Sequence, residues 1–373
     1  MRILQISNYY KPHTGGIEQV AHDISDSLSN ITQKVICFSE DNNTKYEVID
    51  GVEVVKCGVI KKISSQAISL TYKKELIKIM NEFNPDIVIF HYPNPFVSHF
   101  LLKYLKKKTF KFVLYWHLDI TKQKILKLFF NGQNKKLLKY ADKIVCTSPI
   151  YRDSSEYLPY YKNKVEVIPC CINEERLETT DEHKNIANKI KEENVGKTII
   201  FALGRHVPYK GLKYLVEASK YLSEDFKIYI GGVGPLTDEL KKQAICDDKI
   251  VFLGKVSDDD LKGYLLAMDI YAFPSITKNE AFGISLAEAM YFAHPAVTFH
   301  VDGSGVNYVS LNSITGIEVE NSNAKLFADA LEKLKLDDEL RKKLGDSARE
   351  RVINNFTFKQ FSDNINKLIG DLQ

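Results

Sequence analysis

The chain has few cysteines, and their spacing argues against a metal site or a disulfide framework. Six cysteines are spread over 373 residues, and none forms a Cys-x-x-Cys pair. Zinc sites and small disulfide-stapled domains need closely spaced cysteines, so both classes are excluded. The first residues, Met1–Ser7, also carry no apolar signal-peptide core. We therefore expect reduced, mostly buried thiols and a cytoplasmic protein.

Long apolar runs are missing as well. No stretch approaches the 18 or more apolar residues that cross a bilayer, although 44% of the residues are hydrophobic. Glycine and proline number only 19 and 11, which excludes collagen-like and low-complexity chains. This length and composition predict a globular protein of about two domains.

Charge is unevenly distributed along the chain. The formal net charge is +3, yet residues 1–196 hold 29 Lys/Arg against 23 Asp/Glu, and residues 197–373 hold 22 against 25. Twelve lysines fall within 103–143. Such a basic region has three interpretations, namely a nucleic-acid site, a surface for anionic membranes, or solvated helix faces.

Short β-branched apolar runs alternate with helical patterns from end to end. The predicted strands are 2–7, 34–39, 52–57, 86–91, 111–117, 143–147, 165–169, 198–204, 226–231, 250–253, 269–273 and 296–299. The predicted helices are 17–29, 70–82, 96–107, 121–139, 211–222, 235–245, 257–267 and 283–292, with further helix over 323–372. This alternation predicts parallel sheets covered by helices, with strands buried on both faces.

A polar stretch interrupts the alternation near the middle of the chain. We expect a Rossmann-like domain over 1–172, a linker over 173–196 and a second Rossmann-like domain over 197–354. The last segment, 355–373, is predicted as a helix that can pack back on the first domain. Ligands of open parallel sheets bind at the carboxyl ends of strands, so the loops there are the candidate sites.

Three of these loops combine glycine, cations and histidine. Gly15-Gly16 lies between the first strand and its helix, where free N–H groups favour anionic oxygens, although an ordinary turn has the same pattern. Arg205 and Lys210 lie in a loop bounded by glycines, and two cations there suit a diphosphate. His117 ends a strand at the ligand-facing edge, where either a structural or a functional histidine fits.

A fourth loop carries two glutamates. Glu280 precedes a predicted helix, and Glu288 lies inside that helix among apolar residues, where it is either a buried carboxylate that needs a partner or an exposed surface residue. Another acidic run, Asp258–Asp260, contains the Asp-x-Asp pattern of metal-dependent transferases. Ser257 precedes it, however, which favours a helix cap over a metal site.

Together these loops resemble glycosyltransferase family 4, whose members have the GT-B fold. The similarity follows the chain in order through Gly15-Gly16, His117, Ile168-Pro169, Gly204-Arg205, Lys210-Gly211, Gly231–Pro235, Glu280 and Glu288. It implies an α/β protein of two Rossmann-like domains with a deep interdomain cleft, acting as a retaining hexosyltransferase. Where the family usually has Gly-Lys-Pro, this chain has Ala293-His294-Pro295, a departure that we expect to affect packing more than chemistry.

The resemblance also implies roles for residues that bind the donor nucleotide. Gly15 and Gly16 would bring backbone N–H groups to the donor diphosphate. Arg205 and Lys210 would neutralise that diphosphate, and Glu288 would hold the ribose hydroxyls.

Other positions would contact the base and the sugar. Val256 matches the family's contact to the base. Glu280 would lie beside the donor sugar, and His117 would bond a sugar hydroxyl from the first domain. The loop between the glutamates would touch sugar and phosphate, and it comprises Ala281, Phe282, Gly283 and Ile284.

The resulting hypothesis is transfer of a hexosyl unit, with mannose favoured, without a metal or another cofactor. The similarity to enzymes of bacterial O-antigen and cell-surface polysaccharide synthesis favours GDP-mannose over a UDP-sugar and a polyprenyl-diphosphate-linked acceptor. A nucleotide-sugar-binding protein without turnover, a GT-B epimerase or phosphorylase, and a UDP-sugar-dependent transferase with another acceptor remain alternatives.

The basic half then has a narrower interpretation. A sugar-transfer site without a nucleic-acid module argues against nucleic acid. The lysines at 103–111 and 122–143 alternate with apolar residues and would form a surface for an anionic membrane, on the inner face of the cytoplasmic membrane, with solvated helix faces as the alternative. The apolar residues are Leu101, Leu102, Phe110, Ile125, Leu126, Leu128, Phe129 and Phe130.

Overall fold

The computed structural model describes residues 1–13, 15–63, 66–119 and 124–373, with the backbone alone at 63 and 124–129. These residues form two compact units. Unit 1 consists of Met1–Pro169 and Lys359–Gln373, and unit 2 consists of Cys170–Phe358. Each unit contains one large, mostly parallel sheet, as the alternation of strands and helices predicts.

Unit 1 contains an eight-stranded sheet and a separate two-stranded antiparallel sheet. Its strands are β1 Arg2–Ile6, β2 Thr32–Phe38, β3 Lys45–Ile49, β4 Val52–Cys57, β5 Lys61–Ile63, β6 Gln66–Ile68, β7 Ile87–Tyr92, β8 Lys111–Trp116, β9 Lys143–Cys146 and β10 Val165–Val167. Its helices in this part of the chain are α1 Gly16–Ser27, α2 Tyr72–Glu82, α3 Pro95–Leu105, α4 Lys124–Tyr140 and α5 Pro149–Ser154. The strand order of the large sheet is β10-β9-β8-β7-β1-β2-β4-β3, and among these eight strands only β3 runs antiparallel to its neighbour.

The central strands of unit 1 are buried on both faces. All six residues of β7 are buried, and the rings of Tyr92 and Trp116 stack 3.9 Å apart in the core. Two polar side chains, Gln5 and His91, share this interior and are fully buried. Because an unpaired polar group is costly in such a place, their partners become important for the site described below.

Unit 2 has a six-stranded parallel sheet. Its strands are β11 Thr198–Leu203, β12 Phe226–Gly231, β13 Ile250–Gly254, β14 Ile270–Phe273, β15 Ala296–Phe299 and β16 Gly316–Val319, in the order β13-β12-β11-β14-β15-β16. Its helices are α6 Asp181–Glu192, α7 Leu212–Ala218, α8 Thr237–Gln243, α9 Asp258–Ala267, α10 Ile284–Tyr291, α11 Val306–Val309, α12 Ala324–Leu336 and α13 Asp338–Asn355. Phe226, Phe299 and Phe327 belong to the core on one side of this sheet.

The segment between the two predicted domains differs from the expected linker. Residues 173–196 belong to unit 2, and α6 lies within them. The helix packs against α9 so closely that a Cβ atom on Gly263 would lie 2.3 Å from Cγ2 of Ile186. The polar composition of α6 reflects its exposed face, because His183, Ala187 and Ile190 are buried.

The last helix, α14 Phe358–Gly370, has nearly all of its residues in unit 1. The amide of Asn366 donates to the backbone oxygen of Ser27, at the end of α1, at 3.0 Å. Phe361, Ile365, Leu368 and Ile369 form its buried face.

All the predicted strands are confirmed, and the predicted helices are confirmed within the described residues. Residues 121–123, at the start of one predicted helix, lie outside them. The sequence did not predict β3, β16 or the short strands β5 and β6. Strand β3 lies at a sheet edge with Tyr46 and Val48 exposed, and only the first residue of β16 is buried, so neither carries the buried apolar run of a central strand.

Candidate active site

Two loops at the carboxyl ends of β11 and β14 come into contact in unit 2. Gly211 has φ 63°, and a Cβ atom there would lie 2.0 Å from the backbone oxygen of Pro274. Only glycine permits this backbone conformation and this approach without strain. The contact brings the cationic loop that ends at Lys210 beside the loop that holds Glu280.

Lys210 and Glu280 form an ion pair in which the two side chains are only 15% and 12% exposed. The Ser275 hydroxyl donates to Oε2 of Glu280 at 3.2 Å, and the Lys210 ammonium lies 4.9 Å from the centre of the Phe273 ring. The Ser304 hydroxyl donates to the backbone oxygen of Glu280 at 2.5 Å. Glu280 is thus held through its carboxylate and through its backbone, and its charge is balanced by Lys210.

Helix α10 begins directly after this loop. Gly283 precedes it with φ 96°, and no side chain in the described structure caps its first turn by a hydrogen bond. The N–H groups of Leu286 and Ala287 donate to the Gly283 oxygen, so those of Ile284 and Ser285 form the positively polarised start of the helix. Phe282 is buried against Phe356, with ring centroids 5.2 Å apart, and the carbonyl of Ala281 packs against the backbone of Gly305.

Glu288 lies within α10 and is buried, so its interpretation as an exposed surface residue is wrong. Arg176 supplies the partner that the buried carboxylate needs. Its Nη2 forms an ion pair with Glu288, and its Nη1 bonds to Oδ1 of Asp258 at 3.2 Å. Burial raises the pKa of Glu288, and the charge of Arg176 opposes that rise.

The acidic run at the start of α9 is a helix cap. The Ser257 hydroxyl accepts a hydrogen bond from the backbone N–H of Asp260 at 3.1 Å, as the sequence predicts. Asp258 bonds to Arg176, and Asp259 approaches Nε2 of His183 at 3.1 Å. These carboxylates stabilise α9 and tie it to α6 and to the segment that carries Arg176.

Two further predicted donor residues lie on neighbouring loops. Arg205 is exposed, and within the described ranges no side chain forms an ion pair with it. Val256 follows β13 and approaches Gly231, where a Cβ atom would lie 2.8 Å from its Cγ2. Arg205 and Val256 thus lie on loops after β11 and β13 in the same unit as the Lys210–Glu280 pair.

The glycine loop of unit 1 has an unexpected neighbour. Helix α1 begins at Gly16, and the Glu18 carboxylate folds over Gly15, where a Cβ atom would lie 2.3 Å from Oε2. Burial raises the pKa of Glu18, and its own backbone N–H and nearby His13 oppose that rise. The acid in the first turn thus complements the N-terminal charge of α1.

His117 follows β8 in unit 1 and is buried. Its Nε2 lies 3.0 Å from Nδ1 of His91, and Nε2 of His91 lies 2.9 Å from Oε1 of Gln5. The Tyr115 ring stacks on His117 with centroids 4.6 Å apart. Burial, together with the neighbouring His91, lowers the pKa of His117 well below its ordinary value, so the ring is neutral.

The basic–apolar surface expected at 101–143 is corrected in part. Leu101 and Phe110 are buried in the core of unit 1 and do not contribute to a surface. Lys108 pairs with Asp142, and Lys143 pairs with Glu166. Seven residues predicted for this surface lie outside the described side chains, namely Lys122, Lys124, Ile125, Leu126, Lys127, Leu128 and Phe129. No described helix is long and apolar enough to cross a membrane.

Sequence reasoning missed three residues of this arrangement. Arg176 lies in the stretch interpreted as a linker, 112 positions from Glu288, and no local pattern joins the two. Gln5 and His91 lie inside apolar strands. A polar residue in a strand otherwise buried on both faces is a signal that could have found them.

Comparison with known proteins identifies both parts of the chain. The model "Glycosyltransferase Family 4" matches residues 14–176, and "Glycosyl transferases group 1" matches residues 183–351. O-antigen chain mannosyltransferase C from Escherichia coli is 28% identical over 97% of this chain and 96% of its own. D-rhamnosyltransferase WbpZ from Pseudomonas aeruginosa is 29% identical over 96% of this chain and 92% of its own.

Solved structures of glycosyltransferases have a similar fold. Sucrose-phosphate synthase from Thermosynechococcus elongatus superposes with a TM-score of 0.82 at 17% identity, over 100% of this chain and 98% of that one. The expected fold class and family resemblance are thereby confirmed. The chain belongs to the glycosyltransferases of the GT-B fold, with a family 4 domain followed by a group 1 domain.

Proposed function

We propose that the protein is a retaining hexosyltransferase that takes its sugar from a nucleoside diphosphate donor. The observation that carries the proposal is the partly buried Lys210–Glu280 pair beside the start of α10, which Gly283 leaves without a side-chain cap. A cation, a carboxylate and free N–H groups converge there at the carboxyl ends of parallel strands, which is where ligands of such sheets bind.

The donor diphosphate would bind between Lys210, Arg205 and the first N–H groups of α10. As the sugar leaves, negative charge develops on the diphosphate, and preorganised cations and dipoles stabilise it. These groups carry the leaving-group charge in the proposal, so transfer is expected to be independent of a metal and of other cofactors. Asp258–Asp260, the alternative metal ligands, are engaged in capping α9 and in binding Arg176 and His183.

Glu288 would accept hydrogen bonds from the ribose hydroxyls, with Arg176 keeping its carboxylate charged and oriented. Val256, after β13, would contact the base. In the same proposal, the backbone of Ala281, Phe282, Gly283 and Ile284 would contact sugar and phosphate. The backbone N–H groups of Gly15 and Gly16, in unit 1, would serve the diphosphate.

The environment of Glu280 argues against a covalent intermediate on this residue. Its carboxylate is paired with Lys210 and bonded to Ser275, which makes it a poor covalent nucleophile. We therefore favour attack by the acceptor on the same face that the diphosphate leaves, through an oxocarbenium-like transition state, with the leaving phosphate taking the acceptor's proton. His117 would accept a hydrogen bond from a donor-sugar hydroxyl.

The relatives support the substrate class. Two proteins that are similar over more than nine-tenths of this chain are named for mannosyl and D-rhamnosyl transfer, one of them to an O-antigen chain. GDP-mannose as donor and a polyprenyl-diphosphate-linked saccharide as acceptor, in bacterial cell-surface polysaccharide synthesis, are the specific forms of the proposal.

A panel of nucleotide sugars tests the donor directly. A donor present at 100 times its dissociation constant stabilises the folded protein by about 2.7 kcal/mol, which thermal unfolding detects. We expect GDP-mannose to raise the melting temperature and Lys210→Ala to abolish the increase. Release of nucleoside diphosphate only when an acceptor is present distinguishes a transferase from a binding protein. An equal increase in melting temperature with every nucleotide sugar, or no increase with any of them, would contradict the donor assignment.

Membrane association is a separate part of the proposal. The basic lysines of 103–143 would attract an anionic surface at the inner face of the cytoplasmic membrane. Vesicles with and without anionic lipid, with Lys135→Gln and Lys136→Gln variants, test it. If vesicle binding depended neither on lipid charge nor on these substitutions, the proposed membrane association would be wrong. The proposal for the donor site would be unaffected.

A further inference from the structure

Three polar side chains form a buried chain across the middle of the unit 1 sheet. Gln5 lies on β1, His91 on the adjacent β7, and His117 just after β8, the next strand. Gln5 and His91 are fully buried, and His117 is 5% exposed. Buried polar groups are stable only when their hydrogen bonds are made, so the direction of each bond is restricted.

The donor–acceptor direction of these hydrogen bonds can be followed from Ser25, which bonds to Gln5. Its hydroxyl donates to the backbone oxygen of Ala21 at 3.2 Å, so it accepts from Nε2 of Gln5 at 2.8 Å. This fixes the Gln5 amide with Oε1 towards His91. An amide oxygen only accepts, so the Nε2 of His91, 2.9 Å away, carries a proton.

The protonation of His91 in turn determines which nitrogen of His117 carries its proton. Burial lowers the pKa of His91 to about 3, so its ring is neutral and its Nδ1 carries no proton. That bare nitrogen lies 3.0 Å from Nε2 of His117, which must therefore donate. Because His117 is also neutral, its own Nδ1 is bare.

We propose that Gln5 and His91 are positioning residues that keep the proton of His117 on Nε2, so that His117 offers Nδ1 solely as a hydrogen-bond acceptor to the donor sugar. The sugar contact of His117 rests on the proposed function, whereas the proton position does not. The site would then select a sugar with a hydroxyl that donates at this position. A fluorine there, which only accepts, would place two lone-pair groups against each other.

If His117 carried its proton on Nδ1, its bare Nε2 would need a proton from Nδ1 of His91, and the neutral His91 ring would then have a bare Nε2. Two arrangements around that nitrogen are possible, and both are unfavourable. A bare Nε2 on His91 would face the Gln5 oxygen, which places two lone-pair groups against each other. Otherwise the amide would turn over, and the Ser25 hydroxyl would have to give up its bond to the Ala21 oxygen in order to donate to the amide. The stacked Tyr115 ring, 5.6 Å from His91 and 4.6 Å from His117 by centroids, also holds both imidazole planes.

Nitrogen-15 NMR of the full-length protein labelled at histidine reads the tautomers without any substrate. We expect His91 and His117 both to be neutral with protonated Nε2, assigned through His91→Asn and His117→Asn. A protonated Nδ1 on His117 in the wild-type protein would overturn the proposal. This measurement stands even if no donor is turned over, which separates its failure from failure of the proposed function.

Kinetics test the consequence for the sugar. His91→Leu removes the acceptor for His117, and we expect kcat/KM for the donor to fall about tenfold, the effect of one lost hydrogen bond. His91→Asn keeps an oxygen where Nδ1 was, and we expect it to restore most of the loss. Gln5→Leu should move the His117 proton to Nδ1 in the NMR spectrum.

Gln33→Leu is the matched control, because Gln33 is a buried glutamine on β2 that bonds only to the backbone oxygens of Ser25 and Leu28 among its described contacts. It should lower stability and leave the histidine signals unchanged. Equal kinetic loss in His91→Leu and His91→Asn, or unchanged His117 signals in folded Gln5→Leu, would contradict the positioning role.

Discussion

Replacing Arg176 with methionine isolates the contribution of its pair with Glu288. Methionine keeps the length of the side chain and removes the charge, which leaves a carboxylate that is only 8% exposed without its cation. Removing one partner of a buried ion pair costs about 3–5 kcal/mol. Because Arg176 is 33% exposed and water reaches it, we expect a loss of about 2–3 kcal/mol in the free energy of unfolding at neutral pH.

The pH dependence of this loss has a defined sign. Burial already raises the pKa of Glu288 above its ordinary 4.5, and loss of Arg176 raises it further. A folded state with the higher carboxyl pKa binds more protons than the unfolded state, so stability falls as the pH rises between the two values. The variant should therefore approach wild-type stability below the ordinary pKa and lose most above the raised one.

Urea unfolding of single and double variants measures the coupling. In Arg176→Met/Glu288→Gln no charge is left buried, so we expect the double variant to be more stable than Arg176→Met alone. Arg152→Met is the control, because Arg152 is 32% exposed and its partner Asp153 is 49% exposed, and it should cost less than about 1 kcal/mol. An equal cost of Arg176→Met in the Glu288→Gln background would refute the reasoning.

Three further perturbations follow from single positions. Ala293 has φ 62°, so Ala293→Gly should raise the free energy of unfolding by about 1 kcal/mol, and a decrease in urea stability would contradict the backbone assignment. Cys246 is the exposed cysteine and the other five are buried, so a thiol reagent should modify one residue in the folded protein and six after unfolding, with the single reaction lost in Cys246→Ser. Ser304→Ala removes the bond to the Glu280 backbone and should lower kcat/KM by up to about tenfold, whereas unchanged kinetics would show that Glu280 is positioned without it.

The sheets were predictable because burial on both faces leaves a strong pattern. Strand β7, for example, is wholly buried, and its first four residues, 87–90, are a continuous apolar run. Helix α6 was taken for a linker because most of its residues are polar. The buried positions His183, Ala187 and Ile190 follow helical spacing, and Thr180 with His183 forms a capping box, so a periodicity count would have found it.

The candidate site was predictable where loops carry it and not where tertiary packing creates it. Lys210 and Glu280 were placed on loops at strand ends, and the structure brings them together. The partner of Glu288 comes from a segment 112 positions away, and the bonds of Gln5 and His91 depend on the strand order β8-β7-β1. Sequence spacing carries no information about either contact.

The central claim is that the Lys210–Glu280 pair forms part of a sugar-transfer site. The most direct measurement is acceptor-dependent release of nucleoside diphosphate from a labelled nucleotide sugar by the wild-type protein, Lys210→Ala and Glu280→Ala, with folding checked by circular dichroism. We predict turnover by the wild-type protein and loss of most of it in both folded variants. Near-normal turnover in both variants would contradict the account.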